Sequence, residues 1–203
     1  MKPGWKRFVL GILSPMLLAV ALFAGVAFGL ILPALERSTI ERKREMIREL
    51  TVSAWGILDE CEQQVRDGKL DRAAAHQLAV DQVRRLRYGA GGKDYFWITD
   101  VTPRMIMHPY RPDLEGQDLS SFRDPDGNLP FVNFVRIACA QGEGYSAYRW
   151  QVREEADHIA PKLSFIKYFA PWEWIIGTGL YVEDVQAESR RQTTRLAQIG
   201  LSI

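Results

Sequence analysis

The feature that most restricts how this chain can fold is a stretch of 28 residues near the N-terminus that contains no charged side chain. It runs from Phe8 to Leu35 and reads FVLGILSPMLLAVALFAGVAFGLILPAL. As a helix rising about 1.5 Å per residue it would extend about 42 Å, whereas the hydrocarbon core of a bilayer is about 30 Å thick. The stretch therefore predicts a transmembrane helix over residues 8–35. A cleaved signal peptide is the alternative, but its apolar region is usually only about 7–15 residues long.

Three basic residues in front of this stretch indicate its orientation. Lys2, Lys6 and Arg7 precede it, so the positive-inside rule places residues 1–7 in the cytoplasm. Everything after Leu35 is then expected on the other side of the membrane.

Length and composition set limits on the rest of the chain. A length of 203 residues suits one domain with appendages, and 47% apolar and 25% charged residues are ordinary for a globular protein. The net charge of +1 gives no reason to expect nucleic acid, which normally requires a basic face. Cys61 and Cys139 each fall among apolar residues on a predicted helix, so they are expected to be buried free thiols rather than a disulfide pair.

Helical spacing follows directly after the apolar stretch. Apolar residues from Ile40 to Cys61 recur at steps of three, four and seven, which predicts a long helix over residues 34–67. Asp71 is typical of an N-cap and begins a second predicted helix over residues 71–87.

From about residue 95 onward the apolar pattern changes to that of strands. Five strands are predicted, over residues 95–99, 105–108, 144–151, 162–169 and 174–181. A loop over 110–128 and a short helix over 129–141 separate the second strand from the third, and a last helix begins at Asp184. Because neighbouring strands need no long crossover, one antiparallel sheet is favoured. Helices packed on that sheet make an α+β domain, with the long first helix covering one face.

Six segments follow one another along this predicted domain. They read RRLRYGAGGKDYFWITD, MIMHP, LEGQDLSSFRDPDGN, GEGYSAYRW, PKLSFIKYF and PWEWIIGTGLYVEDV. Together they resemble a single Cache domain, type 2-like, over residues 36–187. Domains of this family are the extracytoplasmic sensors of bacterial chemoreceptors, histidine kinases and related transducers. The resemblance implies a PAS-like five-stranded antiparallel sheet, a long N-terminal helix and a membrane-distal pocket, often for small carboxylates such as acetate, propionate, pyruvate or lactate.

Two features depart from that family. The connection over residues 151–160, QVREEADHIA, is long and charged for a hairpin. The family normally continues into a second membrane helix and a cytoplasmic output domain, whereas this sequence stops at Ile203. Residues 188–203 are therefore expected to form a helix leading toward the membrane, and the chain to be a fragment of a longer transducer. A singly anchored protein that signals through a partner is the alternative.

The segment DYFWITD places large side chains on both faces of the first strand. Side chains alternate along a strand, so Tyr95 and Trp97 point to one face and Phe96 and Ile98 to the other. Phe96 and Ile98 are assigned to the core. Tyr95 and Trp97 combine apolar bulk with a hydroxyl and an indole N–H, which fits either a core with satisfied polar tips or a small pocket with directed donors. The resemblance favours the pocket.

His108 and Pro109 end the second strand, across a turn from the first. A lone histidine is more often structural or exposed, but a donor at this position could hold a carboxylate oxygen, and the resemblance supports a ligand-binding role. A metal site is not expected, because His76, His108 and His158 are far apart and lack the spacing of a metal motif.

A carboxylate in a partly dry pocket needs a charged or well-directed donor, because burying it unpaired is costly. The candidates are Arg84, Arg85 and Arg87 before the loop, and Lys162 after Pro161. By similarity to the family, Arg87 and Lys162 are expected to bind the ligand, and Tyr148 on the third strand to add a hydroxyl. The alternative for both cations is a solvated surface charge.

These observations predict the periplasmic ligand-sensing domain of a bacterial inner-membrane signal transducer. A short-chain carboxylate would bind, and a conformational change would pass to the membrane along the terminal helices of a homodimer formed through the N-terminal helix. No enzymatic activity and no cofactor are expected, because the sequence contains no paired-carboxylate or cysteine-nucleophile motif and no base near Ser164. A membrane-anchored periplasmic enzyme using His108 and a ligand-free structural or assembly module are the alternatives.

Overall fold

The computed structural model describes residues 11, 13–19, 22, 25, 29, 32–153, 155–188 and 191. The predicted cytoplasmic residues 1–7, most of the predicted transmembrane helix and nearly all of residues 188–203 lie outside these. Within the described ranges, no helix is both long enough and apolar enough to cross a membrane. The chain divides into two units, Met1–Arg42 and Lys43–Ile203, and the second contains the sheet.

Four α-helices are found among the described residues from Leu32 onward. They are α1 (Leu32–Arg66), α2 (Arg72–Arg85), α3 (Pro130–Gln141) and α4 (residues 182–188). The predicted helices over 34–67 and 71–87 are confirmed to within two residues at each end. Asp71 caps α2 as expected, because its side chain accepts a hydrogen bond from the Ala74 backbone N–H at 2.8 Å.

A single antiparallel sheet of five strands follows the first two helices. The strands are β1 (Phe96–Asp100), β2 (Met105–Met107), β3 (Glu143–Val152), β4 (Glu155–Phe169) and β5 (Trp174–Tyr181). Their order across the sheet is β2-β1-β5-β4-β3, with every pair antiparallel. The predicted α+β, PAS-like architecture with a five-stranded antiparallel sheet is therefore confirmed.

The long, charged hairpin over residues 151–160 is largely strand, because β3 ends only at Val152 and β4 begins at Glu155. Gln151 pairs with Ile159 and Val152 with Glu155, so β4 begins seven residues before the predicted start at Lys162. The β4–β5 pairing reaches only to Lys162, so this part of the hairpin extends beyond β5 as a two-stranded ribbon. The charged side chains Glu155 and Asp157 are exposed to solvent while the backbone still forms strand hydrogen bonds. A charged sequence therefore does not exclude a strand at this position.

The two faces of the sheet are covered differently. One face, here called the helix face, packs against α1 and α2 and buries Phe96, Ile98 and Met107. The opposite face, here called the pocket face, packs against α3 and the loop before it, and buries Tyr95 and Trp97. The alternation predicted for DYFWITD is confirmed on both faces.

The two cysteines are free, as predicted, but differ in burial. Cys61 is buried on α1 among helix-face residues. Cys139 is exposed, so the prediction that it is buried was wrong. Its neighbour Ala138 faces the sheet, which turns the next side chain of α3 toward solvent.

Candidate functional site

A small aromatic cavity lies on the pocket face between the sheet and α3. Its wall consists of Trp97, Met105, His108, Phe131, Phe134, Tyr148 and Trp150. About 10 Å³ is open to the centre of a water molecule, which is room for about one water. A larger molecule can enter only if the aromatic side chains move apart.

Trp97 brings an unused hydrogen-bond donor to this cavity. Its ring stacks on Phe134 with the ring centroids 4.7 Å apart. A Cβ at Gly177, the residue paired with Trp97 on β5, would lie 2.6 Å from the indole, so only glycine leaves room for this ring. The Trp97 Nε1–H is buried and has no acceptor within the described part of the protein.

His108 supplies a second unused donor. Its Nδ1 accepts a hydrogen bond from the Tyr110 backbone N–H at 3.2 Å, so the ring proton of the neutral imidazole resides on Nε2. Nε2 is buried and has no partner among the described residues. Burial first, and then the charge of Lys162, hold the pKa of His108 well below 6.5. The imidazole is therefore a neutral N–H donor at physiological pH.

The backbone of His108 is also fixed in place. Its N–H donates to the Glu115 carboxylate at 2.9 Å. The Arg84 guanidinium donates two hydrogen bonds to the same carboxylate, of 2.7 and 2.9 Å. Arg84, one of the candidate ligand-binding cations, thus acts in this structure as a support for the strand end that carries the histidine.

Lys162 lies beside the cavity with almost its entire side chain buried. Its Nζ donates to the Tyr95 hydroxyl at 2.8 Å and lies 4.2 Å from the centre of the Tyr95 ring. No acidic side chain in the described ranges comes within ion-pair distance of it, and burial lowers the pKa of Lys162 from 10.5 to about 7. A Cβ at Gly179 would meet the Lys162 side chain at 3.0 Å, so this glycine opens the path along which the lysine reaches the pocket face.

Tyrosine hydroxyls complete the polar part of the site. Tyr148 and Tyr181 flank Lys162 in the sheet register, one from β3 and one from β5. The Tyr148 hydroxyl bonds to Ser164 Oγ at 3.0 Å, and the Tyr95 and Tyr181 hydroxyls lie 3.4 Å apart. Burial raises the pKa of each phenol, so all three remain protonated.

The structure brings together five of the seven residues predicted to bind a ligand. These five are Tyr95, Trp97, His108, Tyr148 and Lys162. Pro109 is half-buried directly after His108 and belongs to the turn whose next N–H holds the imidazole.

Arg87 is placed away from the cavity, on the surface. Its Nη1 donates to the carbonyls of Arg84 and Leu86, and its guanidinium lies 5.5 Å from the centre of the Tyr110 ring. The cause is local, because α2 ends at Arg85 and Leu86 adopts an extended conformation that turns the next side chain outward. A ligand-binding role for Arg87 stays a prediction, without contact to the cavity in this structure.

Four cavity residues were not predicted from the sequence: Met105, Phe131, Phe134 and Trp150. Two signals were available. Trp150 lies two positions after Tyr148 on β3 and so shares its face. Phe131 and Phe134 are three residues apart on α3, the spacing of one helix face.

The buried polar groups that have no partner in this cavity are donors, which decides what it can hold. Trp97 and His108 bring an indole N–H and an imidazole N–H to the cavity wall. Lys162 lies next to the wall residue Tyr148 in the sheet register, and no acidic side chain of the described chain pairs with its ammonium. Within the described ranges no group of three or more His, Cys, Asp or Glu could hold a metal ion. The arrangement fits a small acceptor with negative charge, such as a carboxylate.

Comparison with known proteins gives matches over most of the chain. The family described as Single Cache domain 2 matches residues 39–194. The methyl-accepting chemotaxis protein McpP of Pseudomonas putida is 42% identical over 189 residues, which is 93% of this chain and 34% of that protein. The chain spans about a third of the length of the curated relatives it matches.

Two solved structures share both fold and sequence with it. One, described as the periplasmic sensor domain of a chemotaxis protein, is 40% identical with a TM-score of 0.66, covering 70% of this chain and 96% of that one. The other comes from work on carboxylic acid recognition by a Cache chemosensory domain. It is 38% identical with a TM-score of 0.68, covering 72% of this chain and 97% of that one.

Proposed function

Because this chain belongs to the single Cache domain 2 family, we propose that it is the sensing part of a bacterial signal transducer and that its ligand is a short-chain carboxylate. One observation carries the proposal: Lys162 is buried without an ion pair among the described residues, beside a cavity that Trp97 and His108 supply with unused N–H donors. A related Cache domain, 38% identical, was solved in the context of carboxylic acid recognition, which agrees with this ligand class.

We expect a negatively charged ligand because the ligand-free site is energetically unfavourable. A buried ammonium and two buried N–H groups without acceptors are each unfavourable. A carboxylate has two oxygens that together accept several hydrogen bonds, and its negative charge neutralises Lys162. A neutral or cationic ligand of the same shape would leave the lysine unpaired.

The aromatic side chains around the cavity limit the size of the ligand. The space between Trp97, Phe134 and Trp150 is room for about one water before any side chain moves. An acid of two or three carbons requires the smallest displacement of these rings. Acetate, propionate, pyruvate and lactate are therefore the first compounds to test.

The proposed setting is a membrane. Residues 1–7 would lie in the cytoplasm, residues 8–35 would form the anchor, and the sensor domain, residues 36–187, would lie in the periplasm, as a periplasmic sensor domain 40% identical to this chain does. We propose a homodimer through the N-terminal helix, with binding that shifts a two-state equilibrium and involves no chemistry.

Isothermal titration calorimetry on the full chain in detergent micelles tests the function. Propionate should bind with one site per chain, while propionamide, which has nearly the same shape without the charge, and propylamine should bind at least about 100-fold more weakly. Preference for the amine would overturn the ligand class. Consumption of propionate would favour an enzyme, and absence of heat with all four acids would favour a structural module.

A further inference from the structure

Arg153 joins three segments of the domain that are distant in sequence. It lies in the tight connection between β3 and β4, where its φ angle is 50°. Its Nη2 donates to Asp94, just before β1, at 3.0 Å and to Asp184, on α4, at 2.6 Å. Because α4 follows β5 without a break, this guanidinium connects the sheet to the first segment after it.

The same arginine reaches the ligand site through one aromatic ring. The Arg153 guanidinium lies 5.4 Å from the centre of the Tyr181 ring, and Lys162 Nζ lies 5.0 Å from it. The Tyr181 hydroxyl accepts from the Arg153 backbone N–H at 3.4 Å and lies 3.4 Å from the hydroxyl of Tyr95, the acceptor of Lys162. Arg153 and Lys162 therefore both lie close to the ring of Tyr181.

The charges of these groups are coupled. Asp94 stabilises the charged form of Lys162, and Arg153 destabilises it. Asp94 thus interacts favourably with both cations, while the cations repel each other. A ligand carboxylate at Lys162 would remove this repulsion and leave Asp94 to Arg153, within a range of about 10 Å over which charges act at 0.1 M salt.

There is also space for α4 to shift. A cleft of about 620 Å³ lies beside the bridge, lined by the loop that carries Asp94, by α1 and by α4. Besides Asp184, three contacts among the described residues hold α4: the ion pair between Lys43 and Glu188 at 2.8 Å, the contact of Glu183 with His158 at 3.2 Å, and Val185, which is buried. The Lys43–Glu188 pair has no contact with the ligand site.

We propose that Arg153 is the positioning residue through which a carboxylate on Lys162 tightens α4 against the sheet; this rests on the proposed function. With the ligand bound, Arg153 holds Asp94 and Asp184 together. Without it, at a pH below about 7 where Lys162 carries its proton, the charge of Lys162 weakens that bridge. The two states then differ in the electrostatic free energy of the Arg153 guanidinium.

Hydrogen–deuterium exchange of the full chain at about pH 6, where ligand-free Lys162 is charged, with and without saturating propionate, tests this coupling. In the wild type, propionate should slow exchange of the residue 182–188 amides by about fivefold or more. Arg153→Gln and Asp184→Asn should lose that ligand dependence while binding propionate with affinity within about fivefold of wild type by calorimetry. Asp184 is half-exposed, so its variant should fold even if Arg153→Gln does not.

Lys43→Met is the matched control, because it loosens α4 from the side remote from the ligand. It should speed exchange of α4 in both states and keep the slowing by propionate. Slowing that persists in Asp184→Asn or Arg153→Gln, or wild type that binds propionate without any slowing, would overturn the role of Arg153 and leave the proposed function standing. Failure of wild type to bind propionate would overturn both.

Discussion

The helix face and the pocket face of the sheet are built from the same strands but differ in the side chains that they bury. On the helix face, Phe96, Ile98 and Met107 pack against α1 and α2 in a cluster of mainly apolar side chains. On the pocket face, Trp97 and Lys162 bring polar tips into the same depth of burial and leave them without an anionic partner in the described chain. The helix face thus stabilises the fold, and the pocket face is less stable in the ligand-free protein than an apolar face of the same size would be.

The largest effect should come from removing the buried charge. Lys162→Met should weaken propionate binding by about 100-fold or more, because it takes away the partner of a buried carboxylate, worth about 3–5 kcal/mol. The same change should raise the melting temperature of the ligand-free protein, since an unpaired buried ammonium is lost. Calorimetry and thermal unfolding measure the two effects.

Lys167→Met is the control for that variant. Lys167 lies on the same strand but pairs with Glu143 at the surface. Its variant should bind propionate as wild type does. A lower melting temperature for Lys162→Met together with unchanged affinity would mean that the pocket face is an ordinary core.

Removing one donor should have an intermediate effect. Trp97→Phe keeps most of the ring but loses an N–H to a charged acceptor, worth about 1.5–3 kcal/mol, so propionate affinity should fall by about 10- to 100-fold. Trp174→Phe, on the helix face, should lower the melting temperature and leave affinity unchanged. Equal effects of the two variants on affinity would contradict the division of the faces.

The pH dependence follows from the pKa of Lys162, lowered from 10.5 to about 7. Between about pH 7 and 10.5 the unfolded lysine holds more protons than the folded one, so the ligand-free protein should gain stability as the pH rises through that window. Propionate affinity should be constant below about pH 7 as long as propionate itself stays ionised, and should fall by up to about tenfold per unit above pH 7, because binding then requires a proton. Chemical denaturation and calorimetry at several pH values measure these opposite trends, which Lys162→Met should abolish.

The smallest change belongs to the helix face. Ile98→Val removes one methylene from a fully buried site and should lower the free energy of unfolding by about 0.5–1.5 kcal/mol. Propionate affinity of the folded protein should stay as in wild type. A change in affinity beyond about threefold would show that the two faces are coupled through β1.

The sequence was sufficient to predict the parts of the fold that depend on a short repeat of apolar residues, such as the alternation along a strand. Alternation along β1 divides Tyr95 and Trp97 from Phe96 and Ile98, because a strand side chain has only two faces to choose from. The pairing of Lys162 with Tyr148 and Tyr181 depends on register across three strands, which was not predicted. Lys162 and Tyr148 were predicted as candidate site residues, whereas Tyr181 was not.

Other features depend on single backbone angles, on solvation or on the tertiary fold, which the sequence pattern does not show. One extended residue at the end of α2 turns Arg87 away from the cavity. The ribbon before Lys162 pairs through its backbone, and its charged side chains Glu155 and Asp157 are exposed, so their charge does not prevent strand formation. The role of Arg153 could not be predicted, since Asp94 and Asp184 are brought to it by the tertiary fold alone.

The most direct test of the central claim, that the charge of Lys162 receives the ligand carboxylate, is the number of protons taken up on binding. Propionate would be titrated into the full chain at pH 8 in two buffers of different ionisation enthalpy. Because most of Lys162 is neutral at that pH and a carboxylate raises its pKa, close to one proton should be taken up per propionate bound. Tight binding with no proton uptake would contradict the claim.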